Sequence, residues 1–272
     1  MDLARLSLNT KTVPTLTLAE VIEHCQRRGI RTVAPWRDTI APMGAAKAGG
    51  MLADAGLGLS SLCRGGMFTA ASAAGRQAAV EDNLRAIDDA AALGAPVLVL
   101  VCGPVVDRDP RASAGMVEDG IAAVLHHAQD CGVRLGIEPL HPMLAADRSV
   151  ITRVADATRV VDRLAAPPSL GVVVDAYHVW WDLELDESLG AVGGGGVLGF
   201  HVSDWASPLT GGLASGRAMM GDGSIDLPAL AARVEKSRYA GPVEVEVLSD
   251  LWWRMPPDHV LDTVVERFVA HV

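Results

Sequence analysis

The chain has 272 residues, half of them hydrophobic, and a formal net charge of −10 from 23 basic and 33 acidic residues. This length predicts one large domain over residues 1–272 rather than two, because barrels of repeated βα units run to about 250 residues. The acidic balance makes nucleic acid and anionic membranes poor partners, which leaves a small polar molecule as the expected ligand.

The cysteines and the hydropathy pattern predict a cytoplasmic protein without a membrane partner. The N-terminus lacks the basic-then-apolar pattern of a signal segment, and no run of about 18 apolar residues is present. The cysteines are widely spaced, without a CxxC pair, and we expect them to be reduced. They are Cys25, Cys63, Cys102 and Cys131.

Apolar runs rich in Val, Ile and Leu recur along the chain and predict eight strands. In chain order these are Leu3–Asn9, Ile30–Trp36, Leu57–Cys63, Pro96–Cys102, Val133–Glu138, Leu170–Asp175, Val197–Ser203 and Pro242–Leu248. Longer stretches with helical spacing lie between the strands. The clearest are Leu18–Arg28, Ala79–Leu93, Met116–Asp130, Val150–Leu164, Leu227–Ser237 and Asp258–Ala270.

The alternation of strands and helices predicts an α/β protein with a parallel sheet covered by helices. Eight such units close most simply into a single (β/α)₈ TIM barrel. A doubly wound open sheet would normally have a glycine-rich phosphate loop after its first strand, where this chain has Asn9-Thr10-Lys11-Thr12. The Gly193–Gly196 run follows a helical stretch and precedes a strand, which is typical of a linker.

Polar side chains interrupt the apolar runs at the carboxyl ends of the last four predicted strands, where the active sites of such barrels form. These strands supply Glu138, Asp175 and His201, and the last one contains both Glu244 and Glu246. Side chains two residues apart on a strand point to the same face, so either glutamate can join the cluster. Glu246 lies nearer the strand end. Three carboxylates in a concave space require a compensating cation. An oxygen-rich set with one imidazole favours one Mn²⁺ ion; Mg²⁺ or Co²⁺ also fits, and tetrahedral Zn²⁺ fits less well.

The motifs around these residues resemble those of the xylose isomerase-like TIM-barrel superfamily, which includes sugar isomerases, ketose 3-epimerases, inosose dehydratase and endonuclease IV. The resemblance covers nearly the whole chain. It is carried by IEP (Ile137–Pro139), DxxH (Asp175–His178), FHVSD (Phe200–Asp204), GDGSID (Gly221–Asp226) and GPVEVEV (Gly241–Val247). It implies that Glu138, Asp175, His201 and Glu246 hold the metal, since the usual ligand of the last strand lies five residues after its opening glycine.

The resemblance also implies two substrate contacts. His178, three residues after the aspartate, faces the pocket in such proteins, although it can instead be a hydrogen-bonded structural histidine. Arg217 lies where epimerases of the group have a substrate-contacting arginine, although it can instead be a solvated loop cation. Only three of the eight histidines fall near strand ends, which disfavours the three-zinc nuclease chemistry of endonuclease IV.

Aromatic and charged residues near the predicted strand ends suggest further pocket walls. All six tryptophans lie there, and Trp36 and Trp181 are expected to stack on a sugar face. His141 is expected to complete the pocket. Asp147 is expected to cap a helix that begins near Ser149. Asp222 is expected to shape a turn. Arg37 and Arg64 follow predicted strand ends and can bind a carboxylate or phosphate, although nothing else in the sequence supports that role. Trp252 and Trp253 would suit pairing into a homo-oligomer.

The predicted activity is that of a metal-dependent isomerase or epimerase acting on a sugar or keto-sugar, or on a cyclic polyol. Glu138 and Glu246 would remove and return a proton through a metal-stabilised enediolate. The same site would also suit a lyase or dehydratase of a keto-sugar, inosose or keto-glycoside. A barrel that binds a sugar or a partner subunit without catalysis is the alternative from a different class.

Overall fold

The computed structural model describes residues 1–209 and 211–272, and its centre is a ring of parallel strands. The eight barrel strands, β1 to β8 in chain order, are Leu6–Asn9, Thr32–Ala34, Leu62–Gly66, Val97–Val101, Arg134–Ile137, Leu170–Asp175, Val197–Val202 and Val243–Val245. The hydrogen-bonded order runs β2, β1, β8, β7, β6, β5, β4, β3, and a two-residue strand, Gly58–Leu59, lies outside β2. A parallel bridge between Trp36 and Cys63 joins β2 to β3 and closes the ring. The predicted TIM barrel is therefore confirmed.

Helices surround this ring. They are α1 Leu18–Arg28, α2 Arg37–Ile40, α3 Ala45–Asp54, α4 Ala73–Leu93, α5 Pro110–Asp130, α6 Val154–Arg163, α7 Ala176–Val179, α8 Leu185–Gly190, α9 Leu227–Lys236 and α10 Pro257–His271. Short 3₁₀ helices occur at Leu3–Arg5, Thr10–Thr12, Pro142–Leu144 and Trp252–Arg254. An antiparallel pair, Asp204–Trp205 with Arg217–Ala218, lies beyond the end of β7. No helix in the described part of the chain is long and apolar enough to cross a membrane.

Several predicted elements begin at different places in the structure; helices α4 and α5, for example, begin six residues earlier than predicted, at Ala73 and Pro110. The third barrel strand is Leu62–Gly66 rather than Leu57–Cys63, because the apolar run around Leu59 forms the separate strand beside β2. The helix predicted from residue 150 begins only at Val154, where the Asp156 side chain accepts the Arg153 backbone N–H. Asp147 therefore does not cap it, and its side chain lies 3.9 Å from Arg148 instead.

The core has three parts. The largest lies between the outer faces of the strands and the helices, an inner part lies inside the barrel, and a third, small part is made by Val101, Leu140 and Leu144. The inner part is made by Cys63, Val97, Val99, Val173 and Leu198. It forms an apolar floor beneath the carboxyl ends of the strands. The four cysteines form no disulfide in the described structure.

Candidate metal centre

The four residues expected to bind a metal lie together above the apolar floor. Donor atoms of Glu138, Asp175, His201 and Glu246 all lie within 4.8 Å of one another. Each of the four residues is at most 4% exposed. Asp175 and His201 are direct neighbours in the parallel register of β6 and β7, while Glu138 and Glu246 follow the last residues of β5 and β8. The barrel therefore collects one donor from each of four consecutive strands.

Small side chains beneath the cluster let its strands come close. Side chains along a strand alternate between its two faces, so the residue two positions before an inward-facing donor also points inward. That residue is Gly136 for Glu138 and Gly199 for His201. A Cβ atom at Gly136 would lie 2.6 Å from a methyl group of Val173, so glycine is required there. The donors of β5 and β7 thus stand on a floor that larger residues would push apart.

Two donor atoms have the surroundings expected of metal ligands. Glu138 Oε1 and His201 Nδ1 lie 2.9 Å apart, yet both are buried without a hydrogen-bond partner in the described structure. Buried polar atoms are normally satisfied, and an ion between these two would satisfy both. The residues present therefore fit a divalent cation held by oxygens and one nitrogen.

Glu244 lies one layer deeper than Glu246 and holds His201 from below. Its Oε2 is 3.4 Å from His201 Nε2, the ring nitrogen opposite the orphaned Nδ1. The hydroxyls of Ser60 and Ser61 donate to the same oxygen, at 3.1 and 2.9 Å. A carboxylate behind a ligating imidazole fixes the orientation and tautomer of the ring. Glu244 thus takes a supporting place, and Glu246 faces the cavity.

Asn9, at the end of β1, connects the two glutamates. Its Nδ2 donates to Glu244 at 2.7 Å and to Glu246 at 2.9 Å. Sequence reasoning used this residue only to exclude a phosphate loop. A sequence signal for Asn9 was available, because it is a polar residue at the carboxyl end of an apolar strand, as the four donor residues are.

Arg217 is buried beside the cluster rather than solvated in a loop. Its Nη1 donates to Asp175 Oδ2 at 2.7 Å and lies 3.1 Å from Glu246 Oε2. Its guanidinium also lies over the Tyr177 ring, 4.7 Å from the centroid. The cluster contains four buried carboxyl groups when Glu244 is included, more than Arg217 and a protonated His201 can balance, so positive charge is still lacking.

The pKa values of the cluster reflect this shortage. Burial, reinforced by Glu138, raises the pKa of Glu246 to about 8. Burial also raises the pKa of Glu138, whereas the pKa of Asp175 stays below its ordinary value because the Arg217 guanidinium, which donates to it, outweighs the effect of its burial. For His201 burial acts downward, but Glu244 and Glu138 raise the pKa to about 10. Without an ion, the cluster therefore retains protons that a divalent cation would replace.

His178 and its neighbours form one side of the site. Burial lowers the pKa of His178 to about 3, so its ring is neutral. Its Nδ1 accepts the backbone N–H of His141 at 3.2 Å, and its Nε2 faces Arg217 at 3.2 Å. Trp181 donates to the His178 carbonyl at 2.8 Å and lies edge-on to the His141 ring.

A cavity of about 460 Å³ opens above the cluster. Glu138, Glu246, His178 and Arg217 form its base, and Trp36 and Trp253 belong to its apolar wall. Trp181 and His141 are not among the described residues that line the cavity; both contact His178, which does. The indole N–H of Trp253, a residue that the sequence suggested for pairing between subunits, donates to the Lys11 carbonyl at 2.7 Å, and the pairing stays a prediction.

Other singled-out residues have structural partners. Arg37 pairs with Asp82 at 2.9 Å and Asp89 at 3.4 Å on α4. The GDG turn is held by Asp204, which accepts the backbone N–H groups of Gly221 and Gly223. Asp222 itself pairs with Arg267 of α10. The aspartate of FHVSD therefore shapes the turn that was assigned to Asp222.

Comparisons with known proteins agree with this architecture. The family model described as xylose isomerase-like TIM barrel matches residues 18–268. The crystal structure of protein SMc04130 from Sinorhizobium meliloti 1021 is 42% identical, covers 99% of both chains and has a TM-score of 0.93. No curated protein sequence matches the chain significantly.

Two more distant structures share the fold. The IolI protein with a bound zinc atom is 17% identical over 98% of both chains, with a TM-score of 0.81. A D-psicose 3-epimerase determined in the presence of D-fructose is 16% identical, covering 98% of this chain and 97% of its own, with a TM-score of 0.78.

Proposed function

Because the chain belongs to the xylose isomerase-like TIM-barrel family, we propose that it is a divalent-metal-dependent isomerase or epimerase of a sugar or cyclic polyol. One observation carries the proposal: four donor groups converge at the base of a cavity, and two of them, Glu138 and Glu246, also line that cavity. The D-psicose 3-epimerase among the fold neighbours is consistent with this activity.

The donor set favours Mn²⁺. The three carboxylates are hard ligands, which Mn²⁺ and Mg²⁺ prefer, and only the single imidazole is borderline, whereas structural zinc sites are tetrahedral and usually contain thiolates. None of the four donors is a cysteine. The IolI neighbour binds zinc, so Zn²⁺ belongs in any metal titration beside Mn²⁺, Mg²⁺ and Co²⁺.

Glu138 and Glu246 are proposed to transfer the proton. Both carboxyls line the cavity as well as belonging to the donor cluster, so a substrate carbon in the cavity can approach either of them, and a carboxylate in such a position can accept and return a proton. When bound, the divalent ion would polarise the substrate carbonyl and stabilise negative charge on the enediolate oxygens. One glutamate removes the proton from the carbon beside the carbonyl, and the other returns it.

Arg217 and His178 are proposed to orient the substrate. Arg217 holds Asp175 and Glu246 in place and reaches the cavity wall. The neutral His178 ring lies at the same wall and can exchange hydrogen bonds with a hydroxyl group. Return of the proton to the neighbouring carbon gives isomerisation, and return to the opposite face of the same carbon gives epimerisation.

Solvent deuterium exchange tests the proposal. The Mn²⁺-loaded protein is incubated in D₂O with a panel of ketoses, keto-sugars and inososes, and deuterium next to the carbonyl is followed by NMR. We expect incorporation into at least one substrate, and the product distinguishes rearrangement from elimination.

The matched variants are Glu246→Gln in the cluster and Glu266→Gln on the exposed side of α10. We expect Glu246→Gln to lose exchange by at least about a thousandfold, because a general base and a ligand are removed together. Glu266→Gln should behave as wild type. A fully active Glu246→Gln protein would contradict the mechanism.

A further inference from the structure

The cavity has two sides with different charge. The four donors come from β5 to β8, on one side of the barrel. The cavity-lining cations Lys11, Arg64 and Arg148 lie on the other side. Lys11 follows β1 and Arg64 belongs to β3. Arg148 is attached beyond β4, since its carbonyl accepts the Gly103 backbone N–H at 3.0 Å.

These cations differ in how far they are neutralised. Lys11 forms an ion pair with Asp38. Arg148 has its nearest carboxylate, that of its sequence neighbour Asp147, at 3.9 Å, and its side chain is 44% exposed. Arg64 is half-buried and has no carboxylate within 4.0 Å in the described structure. A half-buried guanidinium without a counter-ion is costly unless a ligand supplies the charge.

The surrounding charge makes this grouping informative. The chain as a whole carries −10, so its average field repels anions. The cations on one wall of this cavity act against that field locally. Arginine binds carboxylate and phosphate groups through paired hydrogen bonds, which gives direction as well as charge. Apolar residues such as Leu140 and Leu144 also line the cavity, beside the arginines and the donor cluster.

We propose that the substrate is an anionic sugar or polyol whose carboxylate or phosphate group binds Arg64 and Arg148 while its carbonyl end faces Glu138 and Glu246. The placement of the carbonyl end rests on the proposed function; the anion site does not. The cavity volume of about 460 Å³ is within the range of small-molecule sites and can hold a ligand that spans both sides.

Calorimetric binding of non-reacting polyols tests the anion site. The probes are D-glucitol 6-phosphate, D-gluconate and neutral D-glucitol, each titrated into the Mn²⁺-loaded and the metal-free protein. We expect one anionic probe to bind at least tenfold more tightly than D-glucitol, in both states, and the better probe identifies phosphate or carboxylate. The preference should fall as ionic strength rises.

Two variants assign that preference to the arginines. Arg64→Met and Arg148→Met should each reduce it about tenfold or more, because a charge-assisted hydrogen-bond pair is lost. Arg148 lies in a loop, so its variant remains informative if Arg64→Met is poorly folded by circular dichroism. Arg134→Met is the control, since this exposed residue lies at the amino end of β5, away from the cavity.

The inference is overturned if the three probes bind equally or not at all. It is also overturned if the anion preference persists in both arginine variants, as it would if the probes bound only to the metal. The deuterium-exchange test of the proposed function gives a separate answer. If exchange occurs on neutral ketoses and no anionic probe is preferred, the proposed function stands and the anion site is rejected.

Discussion

Glu244 and Glu246 lie two residues apart on one face of β8, yet their contacts differ. Glu246 meets Arg217 and the cavity, whereas Glu244 is enclosed by Asn9, two serines and His201 Nε2. The difference follows from depth along the strand. The carboxylate nearer the carboxyl end reaches the cavity, and the deeper one can only act through the imidazole.

Glu244→Gln should therefore weaken metal binding without abolishing it. We expect a loss of about 10- to 100-fold in Mn²⁺ affinity, as is typical when the partner of a ligating histidine is removed. Calorimetric titration with Mn²⁺ measures it, beside Glu246→Gln, for which binding should be much weaker still. Equal losses of Mn²⁺ affinity in both variants would contradict the assignment of Glu246 as a ligand and of Glu244 as the partner of His201.

Metal binding should also depend on pH. Burial raises the pKa of Glu246 to about 8, so this carboxyl is largely protonated below that pH in the metal-free protein. A metal ion requires the deprotonated form of Glu246 and the loss of a proton from His201, whose pKa is about 10, so apparent affinity should rise with pH through about 8 toward about 10 and fall on acidification. Titrations in two buffers with different ionisation enthalpies count the protons released. A pH-independent affinity with no proton release would contradict the proposed ligand set.

At the scale of elements, the spacing of β4, β5 and β6 depends on Gly136. A Cβ atom there would lie 2.6 Å from Val173 Cγ2 and 3.1 Å from Val97 Cγ1. We expect Gly136→Ala to destabilise the fold by about 1–3 kcal/mol through overpacking. Chemical denaturation measures this, and Val173→Ala in the same chain should recover part of the loss.

Gly50→Ala is the matched control for that prediction. Gly50 lies within α3, and a Cβ atom there would meet nothing within 4 Å. Because alanine is the better helix former, the change should be neutral or stabilising by up to about 1 kcal/mol. Similar losses at Gly136 and Gly50 would show that glycine removal, rather than crowding at the floor, is responsible.

Local signals decided which elements could be predicted. Helix α1 has its predicted bounds because Thr17 and Glu20 form a capping box at its start and Gly29 adopts a left-handed conformation at its end. Helix α3, by contrast, is rich in alanine and glycine, and Gly44 at its N-cap makes no side-chain hydrogen bond, so no pattern marked it. The apolar run before Ser60 resembles a barrel strand, although it pairs only at the outside of β2.

For the site too, the sequence could predict only those residues that a local pattern marks. The four donor groups could be placed together because each lies at a strand end and inward residues alternate along a strand. Their partners could not, since Asn9 and Arg217 reach the cluster only through closure of the barrel and a loop that folds back onto it. Arg217 was foreseen at the pocket through family resemblance, but its contacts with Asp175 and Glu246 required coordinates.

At the scale of the whole molecule, a bound ion would tie β5, β6, β7 and β8 together. A second group of donor-type residues, Asp88, His127 and Cys131, lies on the outer surface between α4 and α5. There His127 Nε2 already contacts Asp88 Oδ1 at 2.7 Å, which resembles a surface ion pair. Any thermal effect of added metal must be assigned to one of these two places.

Removal and return of metal should therefore change the melting temperature in a site-specific way. At a hundred times the dissociation constant, a ligand that binds only the folded state adds about 2.7 kcal/mol, or roughly 5 °C or more for a chain of this size. We expect this rise when Mn²⁺ is added to chelator-treated protein, followed by scanning calorimetry. Asp88→Asn should keep the rise and Glu246→Gln should lose it. The opposite assignment would place the ion on the surface between α4 and α5 and leave the buried cluster balanced by Arg217 and protons alone.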